Sequence, residues 1–145
     1  MDYYLGIDFG TTNCKCIVYD KTLRSYGSCS VPNTVQYRGK DIAEQPAEEW
    51  WATVRDAIKG ALADAAVSGN SIRSMAVSSQ GISFVPVDAD YRPLRPGISW
   101  LDTRAKEEMA LLSRLVSLSD IQAISGICPT PAYILPKLLW LRQNE

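Results

Sequence analysis

The stretch Leu5–Gly6–Ile7–Asp8–Phe9–Gly10–Thr11–Thr12–Asn13–Cys14–Lys15 limits what this chain can fold into more than any other. The apolar run before it reads as a strand over residues 3–8, and the run after it reads as a second strand over residues 14–20. A tight link between two adjacent strands makes them antiparallel neighbours. The link carries a carboxylate, a glycine, two hydroxyls and, just beyond, an ammonium group. Gly10 is free to adopt φ > 0 and lets backbone approach a ligand closely. Successive N–H groups in such a turn form a concavity suited to anions. Thr11 and Thr12 add hydroxyl donors, and Lys15 adds positive charge. Asp8, at a strand end, can hold Mg²⁺ directly or through water, because Mg²⁺ takes few carboxylates and keeps much of its hydration. A Mg²⁺-bound polyphosphate such as Mg-ATP fits this set. Gly, Asn and Thr are also ordinary turn formers, so the residue types alone leave both readings open.

Composition narrows the classes. The 145 residues are 46% hydrophobic, enough for one domain, 1–145, with a real core. Net charge is −1 and no Lys/Arg run occurs, which argues against nucleic acid and anionic membrane as partners. No signal peptide and no membrane-spanning stretch is evident, and a cytoplasmic location is expected. The chain has no histidine, which excludes a Ser-His or Cys-His pair within it. Cys14, Cys16, Cys29 and Cys128 read as free thiols in a reducing compartment.

Further along, residues 23–31 read as a third strand, completing an antiparallel meander, and residues 32–39 as a polar loop. Pro46 suits the first helical position, and apolar residues at helical spacing from Trp50 to Ala65 define a helix. Trp50 and Trp51 read as packing residues, and Gly69 as its left-handed cap. Residues 72–78 form a strand that follows a helical crossover and so runs parallel to an earlier one. Ligands collect at the carboxyl ends of such strands, which places Ser78, Ser79 and Gln80 beside Asp8 and Gly10. Residues 83–88 and 98–101 read as further strands. A helix capped by Asp102 or Thr103 runs to about residue 118, a short one ends at Gly126, and Pro136 opens the last.

Gly6–Ile7–Asp8–Phe9–Gly10–Thr11–Thr12 resembles the first phosphate loop of the actin-like ATPase superfamily, which includes sugar kinases, seventy-kilodalton chaperones and actin. Three later stretches resemble one branch of it, the FGGY carbohydrate kinases: the turn Ser78–Ser79–Gln80–Gly81–Ile82–Ser83, the segment from Pro93 through Trp100, Asp102 and Arg104, and Pro136–Lys137–Leu138–Leu139–Trp140–Leu141. The chain is most similar to the xylulokinase-like members, over residues 3 to about 143. The resemblance implies an α/β fold of the ribonuclease H-like type, with a mixed sheet of three antiparallel strands, a crossover helix and a parallel strand, forming an incomplete first lobe. It implies ATP and Mg²⁺ as cofactors and a small sugar or polyol as partner. Asp8 would be the metal-associated catalytic carboxylate; Gly10, Thr11, Thr12 and Lys15 would meet phosphates; Gln80, Gly81, Trp100, Asp102 and Arg104 would face the sugar. Asp102 could equally cap a helix, with Arg104 paired to it. The family's base aspartate and second, adenine-binding lobe are expected beyond residue 145, so that the chain alone is inactive. Gly81 and Ile82 stand where xylulokinases carry Met-His, and neither side chain can hydrogen-bond a sugar hydroxyl. The rivals are a chaperone-like ATPase module, whose opening residues are very similar, and a non-catalytic remnant. The apolar last helix, from Pro136 to Glu145, is expected to drive self-association.

Overall fold

A computed structural model describes residues 2–145. The chain builds a four-stranded sheet from β1 (Tyr3–Phe9), β2 (Asn13–Asp20), β3 (Ser25–Pro32) and a later strand, β6 (Ile72–Ser79), in the order β3-β2-β1-β6. β1 and β2 are antiparallel, from Tyr3↔Asp20 to Phe9↔Cys14, and β6 lies parallel to β1. The expected meander, crossover and parallel strand are all present.

Period-two alternation sorts the side chains. Leu5, Ile7 and Phe9 join Cys14, Cys16 and Val18 on one face, and α1 (Ala47–Asp64) covers them with Ala57 and Ala61. Burial, then the neighbouring Cys14, push the Cys16 thiol up to about 12, so it stays protonated. Small residues let α1 lie close. A Cβ on Gly60 would fall 2.4 Å from Cys29 Sγ, and one on Gly27 would fall 2.3 Å from the Ala65 nitrogen. Trp50 packs edge-on to Phe9, but Trp51 is exposed, because successive helical residues point about 100° apart.

Several elements differ from the sequence expectation. β3 begins at Ser25, not Leu23, because the Asp20 carboxylate accepts from the Thr22 and Arg24 N–H groups and holds a turn, with Leu23 at φ 63°. The polar loop contains β4 (Gln36–Arg38). It pairs with β5 (Ile42–Gln45), and β5 with β7 (Gly97–Ile98), as a second small sheet. Residues 83–88 make only two isolated bridges, Phe84↔Ile98 and Val87↔Pro93. Prolines at 86, 93 and 96 remove the donors a ladder needs. Pro46 is the N-cap of α1 rather than its first residue. The left-handed residue after α1 is Ala66 at φ 51°; Gly69 starts a one-turn 3-10 helix instead.

α2 (Lys106–Leu115) begins after Ala105, so neither Asp102 nor Thr103 caps it. α3 (Leu118–Ser125) ends, as expected, on Gly126 at φ 74°. α4 (Ile134–Asn144) starts two residues before Pro136. Its buried positions are Pro136 and Lys137, while Leu135 and Leu138 are exposed. No helix among the described residues is long and apolar enough to cross a membrane.

Candidate functional site

The link between β1 and β2 is held from inside. The Gly10 N–H donates to the Asn13 carbonyl at 2.9 Å. Asn33 closes the loop from the end of β3: its side-chain amide donates to the Gly10 carbonyl at 2.7 Å, and its N–H to the Thr12 carbonyl at 2.8 Å. The Thr11 carbonyl accepts from Gln45 Nε2 at 3.1 Å. All four loop carbonyls are thus engaged by the protein. A loop whose acceptors are tied down is left with its donors to offer, which is what an anion requires. Gly10 does not adopt positive φ. Glycine is needed there because a Cβ would sit 3.1 Å from the Asn13 carbonyl oxygen.

Asp8 is exposed at the carboxyl end of β1, on the sheet face away from α1. It stands between two open clefts. On one side it faces Lys15, its register partner on β2, together with Ser78 of β6. On the other it opens into a cleft of about 650 Å³ with Gly10, Thr11, Gln80, Gly81 and Trp100. No group of three or more His, Cys, Asp or Glu able to hold a metal occurs among the described residues. A lone carboxylate suits Mg²⁺, which takes most of its ligands from water and phosphate. Thr12 is exposed and touches only Asn13 through its hydroxyl.

Gln80 extends the β1–β6 pairing, its N–H donating to the Phe9 carbonyl at 2.9 Å. Its side chain joins the two halves of the cleft. Oε1 accepts from the Thr11 hydroxyl at 3.1 Å and from the Ser83 hydroxyl at 3.3 Å. Nε2 donates to the fully buried Gln45 at 2.7 Å. Trp100 donates its indole N–H to the Thr11 hydroxyl at 2.7 Å, and its backbone N–H to Ser83. The Thr11 hydroxyl is therefore a joint between the phosphate loop and the residues expected to face a sugar.

Asp102 and Arg104 lie elsewhere. Asp102 is fully buried, and its carboxylate takes the Ala43 N–H and the Arg104 guanidinium. Arg104 also bonds buried Glu44 and lies over the Trp140 ring. Burial works against the Arg104 charge, but its bonds to Asp102 and Glu44 outweigh this and hold it protonated. This geometry favours the ion-pair alternative over contact with a ligand. Arg95 joins on Glu44, and Lys137, fully buried, donates to the Ser99 carbonyl at 2.7 Å.

Sequence reasoning missed Gln45, Asn33, Tyr133 and Lys137. Tyr133, just before α4, lines the cleft. Gln45 had one visible signal, an amide immediately before a helix-opening proline, and Lys137 lay in the Pro136–Leu141 stretch without a role of its own; Asn33 and Tyr133 had none.

The same architecture occurs in known proteins. Residues 3–145 match the profile described as the FGGY family of carbohydrate kinases, N-terminal domain. This chain belongs to the FGGY family. That assignment sets aside the chaperone-like module. Among its FGGY relatives, the chain is 32% identical to a xylulose kinase of Escherichia coli K12, covering 98% of this chain and 28% of that protein. It is 33% identical to an L-fuculokinase of the same organism, with 97% and 30% covered. A ligand-bound xylulose kinase structure from Lactobacillus acidophilus superimposes with a TM-score of 0.89 at 25% identity, covering 99% of this chain and 29% of that one. The chain spans 28–30% of the length of the xylulose kinases it matches.

Proposed function

We propose that this chain supplies the acceptor-side wall and the phosphate loop of an ATP-dependent carbohydrate kinase acting on a sugar or polyol hydroxyl. The observation that carries the reading is the Thr11 joint, where the anion-suited loop meets Gln80 and Trp100. Relatives named xylulose kinase, glycerol kinase and L-fuculokinase support a sugar or polyol as acceptor. The residues fit their expected partners. The loop at Gly10–Thr12, with Lys15, would hold phosphates, and Asp8 would hold hydrated Mg²⁺, which shields phosphate charge during transfer. Gln80, Gly81 and Trp100 would line the sugar, and the buried set of Asp102, Arg104 and Glu44 would hold β5 and β7 in place behind them. Phosphoryl transfer passes through a loose transition state, so positioning and charge stabilisation do most of the catalysis. We place the general base and the adenine contacts outside these 145 residues, which span 28–30% of the length of the xylulose kinases they match, and the location in the cytoplasm.

An ADP-release assay with a panel of ketoses and polyols tests this. The 145-residue chain alone should give no sugar-dependent turnover. A longer gene product spanning both lobes should, and Asp8→Asn in it should lower kcat by roughly 100-fold or more. Sugar-dependent turnover by the 145-residue chain would contradict the assignment of the base to later residues.

A further inference from the structure

The hydrogen bonds around Gln80 can run in one direction only. The Thr11 carbonyl accepts and cannot donate, so it fixes Nε2 of the fully buried Gln45 toward itself. Gln45 Oε1 then takes Gln80 Nε2 at 2.7 Å, which leaves Gln80 Oε1 turned toward Thr11 and Ser83. At the other end, the two N–H groups of Trp100 donate and cannot accept. The indole N–H goes to the Thr11 hydroxyl at 2.7 Å, and the backbone N–H to the Ser83 hydroxyl at 2.9 Å. Each hydroxyl has a single proton, and each gives it to Gln80 Oε1, at 3.1 Å from Thr11 and 3.3 Å from Ser83.

Both lone pairs of that oxygen are therefore filled. The Gln80 side chain keeps one Nε2 hydrogen to offer and no acceptor. A sugar presents neighbouring hydroxyls, and one amide holds such a pair by donating to one oxygen and accepting from the other. The closed ring permits only the donation. Thr11 is blocked in the same way on the phosphate side. While its proton is on Gln80, it turns lone pairs rather than hydrogen toward an anion in the loop.

We propose that the Thr11 proton is a two-position switch, held on Gln80 when the loop is empty and on a phosphate oxygen when the loop is filled. A phosphate oxygen is a charged acceptor and attracts the proton more strongly than an amide oxygen does. Rotation of the hydroxyl, with Trp100 still bonded to it, frees one lone pair of Gln80 for a sugar hydroxyl. A sugar that takes that lone pair first releases the same proton to phosphate, so the coupling is reciprocal. This rests on the carbohydrate-kinase reading above and deepens it: phosphate and sugar each raise the affinity of the other through one hydroxyl, and Gln45 is the positioning residue that sets its resting direction.

The test measures sugar affinity of the 145-residue chain with and without saturating Mg-ATP, using xylulose and glycerol as probes and the Trp100 indole NMR signal as readout. Mg-ATP should tighten sugar binding about 10-fold, the usual scale of coupling between two sites. Thr11→Val keeps the branched side chain but has no proton to give, and the exposed Trp100 indole takes water instead. Gln80 Oε1 is then open from the start. Thr11→Val without Mg-ATP should bind sugar about as tightly as the wild-type chain does with it, and Mg-ATP should add less than 2-fold. A merely structural role for Thr11 would weaken sugar binding. Thr11→Ser should restore the 10-fold coupling. Sugar affinity indifferent to Mg-ATP in the wild-type chain, no gain in Thr11→Val, or no coupling in Thr11→Ser overturns the inference while leaving the kinase reading in place. Failure to bind sugar, Mg-ATP or both overturns the inference together with that reading.

Discussion

Lys137 shows how a single side chain can carry a cost that the surrounding fold absorbs. Glu44 and Asp102 are balanced by Arg104 and Arg95 in the same buried set. Lys137 is a surplus cation beside a matched group. Burial, opposed by Asp102 and reinforced by Arg104, pulls its ammonium down to about 8. Below pH 8 both folded and unfolded chains carry the proton, and the folded state bears the full penalty. Between about 8 and the ordinary value near 10.5 the folded chain releases it first, so stability rises with pH across that window. The Ser99 carbonyl also accepts from the Asp102 N–H, so removing the lysine does not orphan it. Lys137→Met should therefore stabilise the chain by about 1–2 kcal/mol at pH 7, less than the roughly 3 kcal/mol the shift represents, because one charged hydrogen bond is lost. The gain should fade by pH 10. Urea unfolding of both proteins from pH 7 to 10 checks this; a pH-independent destabilisation would contradict it. The residue scale is also where sequence reading was weakest. A lysine within an apolar helix looks like its solvent side, yet here Lys137 is the buried position and Leu135 and Leu138 are exposed. Asn33 likewise gives no pattern, and Gln45 only its place before a proline, because their roles depend on meeting Gly10 and Thr11 across the fold.

At the scale of elements, β1, β2 and α1 were readable because each has one buried face and therefore a clear period, whereas β6, exposed along its length, was readable only as an apolar run following a helical crossover. Leu5, Ile7 and Phe9 alternate, and Trp50, Ala57 and Ala61 recur at helical spacing. β4 has all three residues exposed, and β7 has only two residues, so neither offers a period to read. Gly27, inside β3, is the place where α1 ends against that strand: a Cβ there would lie 2.3 Å from the Ala65 nitrogen and 2.7 Å from its Cα. Backbone cannot yield as a flexible side chain does. Gly27→Ala should destabilise by about 2–3 kcal/mol or more, through overpacking and displacement of the helix end. Thermal and urea melts measure it, and a change below about 0.5 kcal/mol would mean the helix is free to shift.

On the scale of the whole molecule, the distribution of exposed apolar groups is uneven. Met75 and Val77 on β6 share the α1 face of the sheet, but α1 lies over β2 and β3 and leaves them bare. Leu135 and Leu138 are exposed on α4. Such surface favours association, so light scattering should show concentration-dependent oligomers of the 145-residue chain. Leu135→Lys with Leu138→Lys should shift it toward monomer, whereas a wild-type chain monomeric at every concentration would contradict this. The cleft at the carboxyl ends of β1 and β6 is where phosphate and sugar would meet. Its most direct measurement is an NMR titration of the labelled chain with Mg-ATP, alone and after saturation with a bound sugar. Mg-ATP should shift the Asp8–Lys15 amides, sugar should shift the Gln80, Gly81 and Trp100 signals, and Thr11 should respond to both. Shifts from Mg-ATP confined to residues away from the β1–β2 link, with Thr11 silent to either ligand, would contradict it.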